Sequence, residues 1–181
     1  MKRFQRYRLP LPLALLAAVL LAGCITLLAL WCQPNALRTV LAHLKAQPLL
    51  IILNAMPIGL LLLVFTCLFR NVFFSGALVN FAVCALSIAN RIKIEVRDEP
   101  VFPRDLALLK EVGSAMGTYD IHFPVKVITV VVLTSLILVI LGVFIGCKPF
   151  PVARLRGWLG SLLGAAASLA VLAGLIFTVY A

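Results

Sequence analysis

Residues 125–147 read VKVITVVVLTSLILVILGVFIGC, an apolar run whose one charge, Lys126, stands at its margin. A lysine there can lie along the apolar surface and lift its ammonium into the interface. A helix rises about 1.5 Å per residue and the hydrocarbon layer is about 30 Å thick, so roughly 20 apolar residues cross it. Residues 125–147 meet that length and read as a membrane span.

Four more runs of the same kind surround it, at about 9–31, 48–69 and 72–89 upstream and 158–180 downstream. Tyr7 and Trp31 flank the first, where aromatic side chains favour the two interfaces. Only Arg70 and Asn71 separate the second and third, which forces an antiparallel pair. The composition agrees, because 181 residues with 64% hydrophobic and 12% charged content carry more apolar surface than a soluble core can absorb. The predicted fold is all-α, a polytopic membrane helix bundle of about five transmembrane helices plus two interfacial amphipathic helices. It forms a single transmembrane domain over 1–181 with no soluble catalytic domain.

The first interfacial helix is expected in the stretch from Cys32 to Gln47. Leu37, Val40, Leu41 and Leu44 recur there at helical spacing opposite Arg38, Thr39 and Lys45, with Asn35 as N-cap. The second lies in the polar loop 90–124. In that loop Arg91, Ile92, Lys93, Ile94, Glu95, Val96 and Arg97 alternate charged with branched apolar residues, the pattern of an extended segment with one buried face. Asp98 to Pro103 form a turn region with two prolines. Asp105 then caps a helix with Leu106, Leu109, Val112 and Met116 on one side and Arg104, Lys110, Glu111 and Ser114 elsewhere. Such a segment is too charged for hydrocarbon and too regularly apolar for a solvated linker, so it belongs at the interface. It either covers the ends of spans three and four or docks an external domain or a lipid headgroup.

The net charge of +10 does not point to nucleic acid, because the basic residues are dispersed among apolar runs. It does orient the bundle. Lys2, Arg3, Arg6 and Arg8, then Arg70, then Lys148, Arg154 and Arg156 occupy segments free of acids. All six acids, Glu95, Asp98, Glu99, Asp105, Glu111 and Asp120, fall in the loop 90–124. The positive-inside rule puts the N-terminus in the cytoplasm and, after five spans, the C-terminus outside.

Five cysteines, Cys24, Cys32, Cys67, Cys84 and Cys147, read as small buried hydrophobes, neither a disulfide framework nor a metal site. His43 and His122 stand alone. A basic start followed by Leu21, Ala22, Gly23 and Cys24 resembles a lipoprotein signal, but the apolar run continues to Trp31, so an uncleaved helix is expected. No Asp, Glu, Lys or Arg lies at depth in a span, which weighs against an ion-coupled carrier. Asn54 and Pro57 in span two and Asn80 in span three are the polar or kinking features at depth. The two asparagines are expected to bond to neighbouring helices and Pro57 to kink its own; the other reading has them line a lipid or substrate groove. Gly142 with Gly146, and Gly160 with Gly164, would let spans four and five approach closely, or two copies of the chain dimerise.

The residues Asn90, Lys93, Arg97, Glu99, Pro100, Pro103, Asp105 and Leu106, set between spans three and four, resemble the membrane domain of the lipoteichoic acid synthase family. These are bacterial phosphoglycerol transferases of the sulfatase and alkaline phosphatase superfamily. Asn54 with Pro57, and Lys148 through Arg156, also sit where members carry similar features. The resemblance implies a multi-pass protein of the bacterial plasma membrane facing membrane lipids, with phosphatidylglycerol as the lipid handled. It further implies an external catalytic domain or partner chain holding a threonine nucleophile and a metal ion, typically manganese. No residue here matches that nucleophile or those ligands, so no catalytic, cofactor or metal residue is assigned in this chain. The other class is a stand-alone small membrane protein, a transporter or a structural subunit. Reporter fusions at residues 34, 70, 110, 152 and 181 are expected to read outside, inside, outside, inside and outside; a cytoplasmic signal at 181 refutes the five-span topology.

Overall fold

The computed structural model describes residues 7–33, 42, 49–101, 123–147, 165–167 and 169–171. Four helices dominate them: α1 (Leu11–Trp31), α2 (Leu49–Phe69), α3 (Val72–Arg97) and α4 (Val125–Phe144). All four are long and apolar enough to cross a membrane. Residues 165–167 and 169–171, inside the expected fifth span, are helical, while the rest of that span and most of both expected interfacial helices lie outside the described residues.

Each helix end has a local cause. Pro12 falls in the first turn of α1, where its missing N–H costs no intrahelical bond. Helix α2 ends at Arg70, which takes the left-handed conformation at φ 54° and donates its N–H to the Thr66 carbonyl at 2.8 Å. Asn71 then returns to extended backbone and caps α3, its Oδ1 accepting from the N–H groups of Phe73 at 3.0 Å and Phe74 at 3.4 Å.

Helix α3 lies at the centre and packs against α1, α2 and α4. The buried side of α1 is a stripe of Ala14, Ala18, Ala22, Ile25 and Ala29, and its small side chains let neighbouring backbones come close. A Cβ built at Gly76 of α3 would lie 3.3 Å from Leu21 of α1, and one at Gly59 of α2 would lie 3.8 Å from Ala22. Across the antiparallel α3 and α4 pair, Gly142 faces Phe74, and a Cβ there would meet the ring at 2.9 Å. Gly142 thus makes room for α3, while the approach of span five expected there lies outside the described residues.

Large apolar side chains cover the outside of the bundle, and a few polar ones lie within it. Val19 is 70% exposed and Leu49 74%, whereas Asn80 is 2% exposed. Thr26, Thr66 and Ser75 are also buried, and each hydroxyl donates to the carbonyl four residues earlier. Apolar surface outside with satisfied polar groups inside is the arrangement hydrocarbon demands. The chain is a polytopic membrane helix bundle.

Two boundaries differ from the sequence reading. Residues 91–97, expected as an extended segment in the loop 90–124, continue α3 to Arg97. Ile88, Ile92 and Val96 recur every four residues, and Arg91 pairs with Glu95 at 2.8 Å one turn on, so the window that alternates also satisfies helical spacing. Extending an existing helix adds one bond per residue without a new nucleus. At the other end of the bundle, residues 145–147 leave the expected span 125–147 and form a strand, β2 (Ile145–Cys147), which pairs in parallel with β1 (Tyr7–Leu9). Tyr7 registers with Ile145 and Leu9 with Cys147.

The strand pair puts the start of α1 beside the end of α4, so α1 and α3 run one way and α2 and α4 the other. Gly142→Ala is expected to lower stability by about 1–3 kcal/mol through overpacking, read by thermal unfolding in detergent. Adding Phe74→Leu should recover part of that loss; fully additive losses would show that the two residues do not share the contact.

Candidate functional site

Residues 90–101 gather at the end of the bundle opposite the strand pair, where α1 and α3 both terminate. Helix α3 stops at Asp98, a left-handed C-cap at φ 53° whose N–H donates to the Ile94 carbonyl at 2.9 Å. Aspartate tolerates that conformation better than most side chains, and Pro100 two residues later cannot resume a helix. The chain therefore folds back along the last two turns of α3.

Two side chains hold the reversal. The Lys93 ammonium donates to the Pro100 carbonyl at 2.8 Å. The Val101 N–H donates to Asn90 Oδ1 at 2.9 Å, while Asn90 Nδ2 donates to Gln33 Oε1 at 3.0 Å. Asn90 thus joins three segments: the end of α1, the last turns of α3 and the returning chain. Among the expected site residues, Asn90, Lys93 and Pro100 come together here, with Glu99 exposed on the turn. Arg97 is the last residue of α3, and Pro103 and Asp105 lie outside the described residues.

The Arg91–Glu95 pair on the same turns is partly exposed, 27% and 37%, and such pairs contribute about 0–1 kcal/mol. No group of three His, Cys, Asp or Glu able to hold a metal occurs among the described residues.

About ten residues, or some 15 Å, deeper along α3 lies Asn80. Its Nδ2 donates to Ser135 Oγ at 2.9 Å and Thr134 Oγ1 at 3.1 Å on α4, and its Oδ1 lies 3.7 Å from the Cys84 thiol. Asn80 therefore bonds to a neighbouring helix, as anticipated. Asn54 does not share this arrangement, because its side chain is exposed on α2; Pro57 is half-buried inside the same helix.

Sequence reasoning passed over Gln33 and Asn71. Asn71 is buried, and besides capping α3 its Nδ2 donates to the carbonyls of Gly142 at 2.8 Å and Ile145 at 3.3 Å. An asparagine immediately before the apolar run at Val72 is an N-cap signal, which would have marked half of that role. Nothing local marks Gln33.

No family model, curated protein or solved structure matches the chain.

What the site does mechanically is fix the exit of the chain from α3. Asn90→Leu is expected to accelerate hydrogen exchange at the Val101 amide, since that N–H loses its acceptor. Gln33→Leu should leave Val101 protected while loosening the end of α1. Equal protection at Val101 in wild type and Asn90→Leu would show that the reversal is held by other contacts.

Proposed function

We propose that this chain is the membrane-anchoring and lipid-facing module of a lipoteichoic acid synthase-like phosphoglycerol transferase. It sits in a bacterial plasma membrane with the strand pair on the cytoplasmic side. The observation that carries this reading is the convergence of Asn90, Lys93 and Pro100 on one reversal of the chain. These are residues on which the family resemblance rests.

Charge supports the orientation. The segments flanking the strand pair and the α2–α3 link hold Lys2, Arg3, Arg6, Arg8, Arg70, Lys148, Arg154 and Arg156 without an acid, and such segments are retained in the cytoplasm. The opposite end mixes Arg91 and Lys93 with Glu95, Asp98 and Glu99. An anionic lipid headgroup or the charged face of an external domain can approach such a surface without crossing hydrocarbon. The described turn offers no nucleophile with an orienting base, so its part is to place: the hydrogen-bonded reversal presents Glu99 and Pro100, both exposed, beside the end of α3. Phosphoglycerol transfer from phosphatidylglycerol, with the threonine and the metal ion, belongs to an external catalytic domain.

The test is a pair of substitutions matching Lys93→Glu and Arg97→Glu in a full-length family member, with membrane level and phosphoglycerol transfer measured together. Normal insertion with transfer reduced about tenfold or more, equivalent to about 1.4 kcal/mol of positioning, is the expected outcome. Unchanged transfer at normal protein level would leave the turn only the work of covering the helix ends and would favour a stand-alone membrane protein.

A further inference from the structure

Two helix faces that meet at one end of the bundle are bare at the other. On α3, Val72, Val79, Leu86 and Lys93 follow one another at intervals of seven and so share one face. Val72 and Val79 are both 0% exposed, whereas Leu86 is 60% exposed. On α2, Phe65, Leu61, Ile58 and Asn54 recur at intervals of three or four. The first three pack against the cluster that contains Val72 and Val79, and Asn54 is exposed.

Asn54 and Leu86 stand at the same level. Helices α2 and α3 are antiparallel about the Arg70–Asn71 link, with Asn54 fifteen residues before Phe69 and Leu86 fourteen after Val72, so each lies about 21–23 Å from it. The facing surfaces are therefore closed near the link and open from this level outward. Pro57, inside α2 between Ile58 and Asn54, removes one intrahelical N–H and gives the helix a place to bend. Ala82, exposed between Val79 and Leu86, adds little bulk to the opening.

The polarity of the opening is graded. Its inner part is apolar, with Ile58, Ala82 and Leu86; Asn54 then adds a carboxamide that has no hydrogen-bond partner among the described residues. About 10 Å beyond Leu86 along α3, the Lys93 ammonium is held at the turn by the Pro100 carbonyl. A carboxamide facing hydrocarbon without a partner is costly. A wholly apolar helix seated here would leave that cost in place, and an amphipathic occupant with acceptors at this depth removes it. We infer that the α2–α3 opening is a seat for one bilayer glycerophospholipid: an acyl chain lies between Ile58 and Leu86, the Asn54 amide donates to an ester carbonyl, and the phosphate meets Lys93. Phosphate and ester oxygens are acceptors, while the carboxamide N–H groups and the ammonium are donors. The inference goes beyond the transferase reading and does not depend on it, because the opening and its donors belong to this chain whatever enzyme it serves.

The experiment uses the full chain in dodecylmaltoside micelles with a phosphatidylglycerol that carries a photoactivatable diazirine midway along one acyl chain, followed by peptide mapping. Label should concentrate around Ile58, Ala82 and Leu86 and saturate, while the bare α4 face at Leu133, Leu136 and Ile137 takes little. Excess unlabelled phosphatidylglycerol should displace it, and diacylglycerol, which lacks the phosphate, should not. Asn54→Leu and Lys93→Gln should each weaken the label, and Leu86→Trp, which fills the opening, should abolish it. Label spread evenly over α2, α3 and α4, or equal displacement by diacylglycerol, would overturn the inference. So would an opening that takes no label, the result expected if another segment of the chain or a second copy covers it. The wild-type map decides the matter even if a variant fails to fold.

Discussion

A single buried carboxamide ties the start of one helix to the end of another. The Oδ1 of Asn71 accepts the first N–H groups of α3, and its Nδ2 donates to the carbonyls of Gly142 and Ile145 at the close of α4. Each helix end leaves backbone groups without intrahelical partners, and in or near hydrocarbon such groups cost several kcal/mol each. One side chain therefore answers two deficits at once, and it does so only if α3 and α4 are antiparallel in this register. The contact of Phe74 with Gly142, the bonds from Asn80 to Thr134 and Ser135, and the pairing of β2 with β1 all presuppose that register.

The energetic weight of the other contacts follows from the solvent. Lipid gives apolar side chains no reason to leave it, so the bundle is held by close packing and by internal bonds. The alanine stripe of α1 and the glycines at 59, 76 and 142 supply the packing. Asn80 supplies interhelical bonds worth about 0.6 kcal/mol each on average, too little to hold two helices together and enough to choose among registers. A hydroxyl such as that of Thr26 or Thr66 spends its donor inside its own helix and contributes nothing between helices.

The same division organises the two ends. At the strand end, backbone pairing and Asn71 bind the start of α1, the α2–α3 link and the end of α4 into one unit. At the other end Asn90 performs the analogous task for α1, α3 and the returning chain. Asn90 and Lys93 thus occupy a structural junction. Cys32 and Cys84 sit just inside that junction, buried in one packed cluster with Ala29, Val127 and Val131.

The sequence alone determined the four helices and their alternation, because an uninterrupted apolar run of span length has one stable conformation in lipid and successive crossings must reverse direction. It also marked Asn80 as a helix-to-helix contact, since an uncharged polar side chain in a span seeks a partner. It misplaced the end of α3, because alternation over 91–97 satisfies period two in a short window and the four-residue recurrence of Ile88, Ile92 and Val96 in a longer one. Only the tertiary structure decided between them, through the helix already running into the segment and the left-handed turn at Asp98. It also decided that Asn80 is buried and Asn54 exposed, that Gly142 serves Phe74, and that Gln33 meets Asn90. These are pairings between residues more than fifty positions apart, and no local pattern encodes a partner at that distance; the packing of whole helices selects it.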